Sequence, residues 1–321
     1  MNKCETQLIH DLNQRAGELL PHMNFDSLAV ASINFKDESY VSFETSPLLE
    51  LANNSSTKKF SNPATLLFDL ASLTKALTNS LLRVARPDYF NPEMDLLLNH
   101  RAGLPSWGRL SKDTWSSQIE SYPLCSSATL YSDFSSLRCM LELEKKTQKS
   151  LRDLVGFDHD RECFNWLDLQ KNNHPWTVVP TGVRHKKIIQ GEVHDDNAFV
   201  IKRYLSHAGL FSTVDGLART LIGLQKKYDL LEQMKKALVE NREGHRFVHG
   251  FDRPTDLVQT LAGKGIGPLS FGHLGFTGTS FWIDIEKKRG TIILTNATLN
   301  YWYEREGLTK LRKVLGELSW K

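Results

Sequence analysis

The stretch FWIDIEKKRGTIILTN, residues 281–296, constrains the fold most. Two runs rich in β-branched and aromatic residues flank a polar EKKRG turn, which is the pattern of an antiparallel hairpin. A second such pattern lies at the other end of the chain. SLAVASINFKDESYVSFE, residues 27–44, reads as two short strands around a KDES turn. Helical patterns flank both hairpins. Residues 5–21 carry Leu8, Ile9, Leu12 and Ala16 on one stripe, and residues 305–319 close the chain as an amphipathic helix. Between the hairpins lie helical patterns at 134–155 and 213–240 and irregular, loop-rich stretches at 50–66, 87–128 and 156–200. This order predicts an α+β fold: an antiparallel sheet assembled from both chain ends, flanked by terminal helices, with a mainly helical domain inserted. The expected division is 1–66 and 245–321 for the sheet domain and 67–244 for the insertion.

Composition removes several function classes. Forty basic and 37 acidic residues leave a net charge of +3 over 321 residues. That balance argues against nucleic acid or an anionic membrane as partner. No apolar run approaches the ~20 residues of a membrane span. The first residues, MNKCETQLIHDLNQRAGELL, have no apolar signal core, so the expected location is cytoplasmic. Cys4, Cys125, Cys139 and Cys163 are irregularly spaced and predict neither a disulfide framework nor a zinc knuckle. No metal or other cofactor is expected.

The chemistry-bearing stretch is FDLASLTKALTNSLL, residues 68–82. It reads as an amphipathic helix capped by Asp69, with Leu70, Leu73, Leu77, Leu81 and Val84 on its core face. Ser72, Lys75 and Asn79 form a second, polar stripe. A serine near a helix N-terminus can attack a carbonyl while backbone amides receive the oxyanion, provided a base activates it. A lysine one turn on serves if it is kept neutral. S-x-x-K alone is weak: Ser55–Lys58 and Ser56–Lys59 share the spacing within NNSSTKKF and read as solvated loop.

Further segments give the pair its context. In order they are LLNHRAGLP (97–105), YSDFSSLRCMLELEKKTQKSL (131–151), GEVHDDNAF (191–199), SHAGLFSTVDGLAR (206–219) and FGHLGFTGTSFWIDIEKKRGTIILTN (271–296). With FDLASLTK they resemble the serine β-lactamase and penicillin-binding-protein superfamily, in its class C-like branch of esterases and D-amino-acid peptidases. The resemblance implies a β-lactamase/transpeptidase-like fold and hydrolysis of an ester or amide through an acyl-serine. It makes Ser72 the nucleophile and Lys75 its proton partner. Tyr131 matches the tyrosine of a Y-x-N motif, here Tyr131-Ser132-Asp133. His273-Leu274-Gly275 matches the third motif, K-T-G or H-x-G. Backbone N–H groups of Ser72 and Phe276 would form the oxyanion hole, and Asp133, Leu274 and Gly275 would line the site. The implied partner is a small-molecule or peptide acyl substrate, such as a cell-wall fragment or ester. Oligomeric state is left open.

The chain departs from that pattern in three places. Leu274 stands where relatives carry a threonine that helps hold the substrate carboxylate, which argues against β-lactams and D-Ala-D-Ala peptides. Asp133 replaces an asparagine, and a carboxylate beside Lys75 favours the charged lysine; either Lys75 or Tyr131 is then the base. The stretch 76–96 is short for the family, so part of the helical region is expected to be reduced. A catalytically weak binding or regulatory protein is therefore the alternative to an active hydrolase. Other polar clusters read as structure. Tyr89-Phe90-Asn91 fits Y-x-N but lies between two prolines. His194-Asp195-Asp196 and DHDREC (158–163) lack metal-ligand spacing and read as loops. His100 and Arg101 brace a loop, and Trp107, Trp166 and Trp176 are core or cleft-lining residues.

Overall fold

The computed structural model describes residues 3–49, 65–156, 158–169, 174–241, 243–300 and 305–321. The decoy serines Ser55 and Ser56 and most of the expected 50–66 loop lie outside these residues. Among the described residues no helix is long and apolar enough to cross a membrane.

Thirteen strands are described. The first two, β1 (Leu28–Asn34) and β2 (Ser39–Thr45), form the expected N-terminal hairpin, followed by β3 (Leu66–Asp69). The middle of the chain adds β4 (Cys163–Asn165), β5 (Thr177–Val178), β6 (Gly182–Arg184), β7 (Lys187–Ile189) and β8 (Leu210–Ser212). The last five are β9 (Phe247–Val248), β10 (Phe251–Asp252), β11 (Ser270–Leu274), β12 (Ser280–Asp284) and β13 (Arg289–Thr295). The seven-stranded main sheet has the order β2-β1-β13-β12-β11-β10-β9. All its pairings are antiparallel, and β1 of the first hairpin pairs with β13 of the last, Leu28 opposite Thr295. The sheet is thus assembled from both chain ends.

Alternation along β1 explains how this strand is buried on both faces. Leu28 and Val30 face a core shared with the terminal helices Lys3–Leu19 and Glu306–Ser319. Ala29, Ala31 and Ile33 face the opposite core, with Leu73, Leu77, Leu217 and Leu221. Burial on both faces requires the near-continuous apolar run LAVASI. Helix Val214–Tyr228, which the sequence reading counted with the insertion, contributes to the core on this second face of the sheet. A separate core of the inserted region gathers Leu97, Phe134, Leu137, Trp166 and Phe211.

The segment 68–82 is built differently from the expected single helix. Residues 66–69 are strand β3, which pairs with β8 and β5. Helical geometry begins only at Leu73 and continues to Ala85, with a π-helical stretch at Ala76–Ser80. The cap residue is Ser72, not Asp69. The expected polar stripe is buried too: Lys75 is 3% and Asn79 1% exposed. Both polar stripe and apolar stripe pack inward, so amphipathicity could not mark the helix start.

Leu73 is fully buried next to Ser72. Leu73→Ala should lower unfolding stability by about 2–5 kcal/mol, the range for truncating a buried leucine, read as a shifted urea midpoint.

Candidate active site

Asp69 fixes the turn between strand and helix. Its buried carboxylate accepts the Ala71 N–H at 2.8 Å and the His194 N–H at 2.7 Å. Ala71 has φ +46°, a left-handed conformation unfavourable for a residue with a Cβ. The hydrogen bond to Asp69 supports it there. The same turn is tied to the main sheet: Thr277 Oγ1 donates to the Asp69 carbonyl and Thr279 Oγ1 to the Leu70 carbonyl. A Cβ on Gly275 would lie 2.6 Å from the Leu70 carbonyl, so glycine permits the end of β11 to approach the turn.

This brings Ser72 to a cavity of about 1340 Å³ lined also by Tyr131, Asp133, His207, Phe247, His273, Leu274, Gly275 and Phe276. Lys75 Nζ donates to Ser72 Oγ at 2.9 Å, to the His207 carbonyl at 3.1 Å and to Asp133 Oδ1 at 2.7 Å. These three acceptors match the three protons of an ammonium. Burial pulls the Lys75 pKa down, but Asp133 and Tyr131 outweigh it by charge and hydrogen bonding, and the net shift is upward. Lys75 is therefore charged in the resting site and is not a free amine base.

Tyr131 lies beside it, with Lys75 Nζ 5.0 Å from the ring centroid. The ring packs against His100 at 4.6 Å, Phe247 at 5.7 Å and His273 at 6.0 Å between centroids. The phenol oxygen is buried without a well-formed hydrogen bond. Burial raises its pKa, and the attraction of Lys75 only partly offsets that. His100 braces the loop as expected, accepting the Ser132 N–H at Nδ1. His273 is 1% exposed; Nδ1 lies 2.9 Å from the Leu274 carbonyl, and Nε2 has no partner. Burial, reinforced by the Lys75 charge, lowers the His273 pKa to about 3, so the imidazole is neutral with its Nε2 lone pair open.

The structure thus gathers Ser72, Lys75, Tyr131, Asp133, His273, Leu274, Gly275 and Phe276 around one cavity. Tyr89-Phe90-Asn91 lies apart: Tyr89 and Phe90 pack on the second core, and Asn91 caps helix Pro92–Leu98. DHDREC is not a plain polar loop, because His159 bonds the Leu77 carbonyl and Cys163 is buried in β4. Trp166 is core and Trp107 half exposed at the cavity. Among the described residues no cluster has the makings of a metal site. Sequence reasoning assigned no role to His207, and read Asp195 as loop structure. Asp69 was visible only as a presumed cap. His207 and Asp195 lie in quoted segments, but nothing in their spacing shows that they meet.

Residues 83–315 match the family described as Beta-lactamase. That span begins after Ser72 and Lys75 and takes in Tyr131, Asp133, His273 and Phe276. A curated relative, N-acetylmuramyl-L-alanine amidase of Bacillus subtilis (strain 168), is 32% identical over 117 residues, 34% of this chain and 26% of that protein. The chain thus matches about a quarter of that relative's length. Three solved structures share the fold. A class C beta-lactamase mutant has a TM-score of 0.67 at 13% identity, over 99% of this chain and 98% of that one. A beta-lactamase from Sulfitobacter sp. has 0.63 at 14% identity, over 99% and 98%. D-alanine carboxypeptidase AmpC from Burkholderia cenocepacia has 0.62 at 11% identity, over 95% and 98%.

Two measurements follow from these charges. Burial raises the Asp69 pKa from 3.8 to about 7 against the pull of its two backbone hydrogen bonds. The folded state then holds a proton that the unfolded chain releases, so Asp69 makes stability fall as pH rises from about 4 to about 7. Asp69→Asn should remove that slope, at most about 1.4 kcal/mol per pH unit, from urea midpoints taken across the range. Asp133→Asn should lower the Lys75 pKa, since burial is then opposed by less negative charge; NMR titration of labelled lysine reads the shift.

Proposed function

The chain belongs to the beta-lactamase family, and on that footing we propose that it is a serine hydrolase acting on an ester or amide through an acyl-Ser72 intermediate. The observation that carries this reading is the Lys75 Nζ–Ser72 Oγ hydrogen bond of 2.9 Å within the large cavity. Ser72 Oγ attacks the acyl carbon, and the oxyanion rests on the backbone N–H groups of Ser72 and Phe276. Lys75, held as an ammonium, orients Oγ and stabilises the negative charge that develops on it. Of the two candidate bases, Tyr131 is favoured. It is the neutral group beside Ser72, and the His273 ring lies 6.0 Å from its ring between centroids. As a neutral phenol Tyr131 would relay: it takes the Ser72 proton as its own hydroxyl proton moves to the leaving group.

The preferred substrates are small esters and amides from cell-wall peptide. The segment similar to N-acetylmuramyl-L-alanine amidase supports the amide arm. Leu274 offers no hydroxyl to a substrate carboxylate, so true β-lactamase activity is the weaker option. One observation favours a second reading, a penicillin-binding-like protein that acylates without turnover: Asp133, 2.7 Å from Lys75, stabilises the ammonium against any loss of its proton.

A fluorophosphonate probe should add to Ser72, located by peptide mass spectrometry. Ser72→Ala should remove the adduct and reduce p-nitrophenyl ester turnover by roughly 10³-fold or more. No adduct on a folded protein at any pH would sink the hydrolase reading, and an adduct without turnover would favour the binding reading.

A further inference from the structure

An acyl-enzyme is useful only if water removes the acyl group, and that step needs a base. The groups around Ser72 supply it poorly. All three Lys75 protons are engaged with Ser72, Asp133 and the His207 carbonyl. Burial disfavours the phenolate of Tyr131, and His273 is held at about 3. Two further imidazoles, His194 and His207, line the same cavity. His207 is 1% exposed, and its Nε2 lies 2.9 Å from Asp195 Oδ1. Its Nδ1 is buried without a hydrogen-bond partner.

The carboxylate is itself fixed. Asp195 caps helix Asp196–Ile201, accepting the Ala198 N–H at 2.7 Å, so its oxygens cannot swing away. Burial opposes its ionisation, yet its contact with His207 and the Ala198 N–H hold its pKa at about 2. An ionised carboxylate on one imidazole nitrogen, with the other nitrogen open, is the arrangement that orients a histidine as a proton acceptor. A purely structural staple between loops 191–195 and 206–208 would explain the Nε2 contact. It leaves the buried, unpartnered Nδ1 unexplained. The main chain brings His207 to the reacting centre, since its carbonyl shares the Lys75 ammonium with Ser72 Oγ.

Resting on the acyl-serine reading, we propose that His207, oriented by Asp195, is the general base of deacylation. The water oxygen bonds to the acyl carbon as one water proton moves to His207 Nδ1. The tetrahedral intermediate then breaks its carbon–Ser72 Oγ bond, and the Nδ1 proton returns to Oγ. The products are the free acid and the serine hydroxyl.

The test separates acylation from deacylation. With p-nitrophenyl acetate in stopped flow, His207→Gln should keep a burst of one p-nitrophenol per Ser72 and lose at least about 100-fold in the following steady state. Acetyl-Ser72 should accumulate in mass spectra. Glutamine retains an N–H for Asp195, and circular dichroism melting reports whether the variant is folded. Asp195→Asn should slow the same phase. The proposal is overturned if folded His207→Gln deacylates at the original rate, or if the burst and the steady state fall together. If the unmodified protein gives no Ser72 adduct, the hydrolase reading and this proposal fall together; a Ser72 burst with His207-independent turnover refutes this proposal alone.

Discussion

A buried ammonium organises this molecule. Lys75 is almost fully enclosed, and an enclosed charge is tolerated only when its protons are bonded and its charge is balanced. The three acceptors come from three separate parts of the chain: Ser72 from the same turn, Asp133 from the start of helix Asp133–Thr147, and the His207 carbonyl from the loop before β8. Each must be present for the others to be stable. Removing one leaves a buried donor unsatisfied, at a cost of about 1–3 kcal/mol or more for a charged group. The convergence of nucleophile, tyrosine loop and 206–208 loop is therefore a requirement for enclosing Lys75, and the cavity forms where they meet.

A second constraint fastens this centre to the main sheet. Ala71 holds a left-handed φ that its own side chain disfavours, and the buried Asp69 carboxylate holds it there. The carbonyls of Asp69 and Leu70 accept the hydroxyls of Thr277 and Thr279, just beyond β11. Gly275 allows this contact by lacking a Cβ. β11 also carries His273 and Leu274, so the strand that presents these two side chains is locked to the turn that presents Ser72. The relative position of Ser72 and this cavity wall is set by short side chains bonded to the backbone, which are less flexible than long ones.

The sheet was legible because hairpins leave local signals. KDES and EKKRG lie between runs of β-branched and aromatic residues, and period-2 alternation along β1 places Leu28 and Val30 on one face and Ala29 and Ala31 on the other. The strand 66–69 was not legible, because LLFD followed by LASLTK reads continuously as one apolar pattern, and burial on all sides removes the polar face that would mark a helix start. Ser72, Lys75, Tyr131 and His273 could be named from their motifs. The Asp195–His207 pair could not, because the eleven residues between them carry no periodicity that brings their side chains together. Contacts made by irregular loops depend on the whole fold, and local pattern does not encode them.

Asp133 changes the proton logic of such a site. With a neutral amide in its place, a buried lysine loses its proton readily, because burial disfavours the ammonium and little opposes it. With a carboxylate 2.7 Å away, the pair is an ion pair whose separation would leave an unbalanced charge in the interior. Lysine then contributes electrostatics: a fixed positive charge 2.9 Å from Ser72 Oγ, present before any substrate arrives. Membership of the family fixes the scaffold. The charge held at Lys75 follows from one neighbour, Asp133, and not from the fold as a whole.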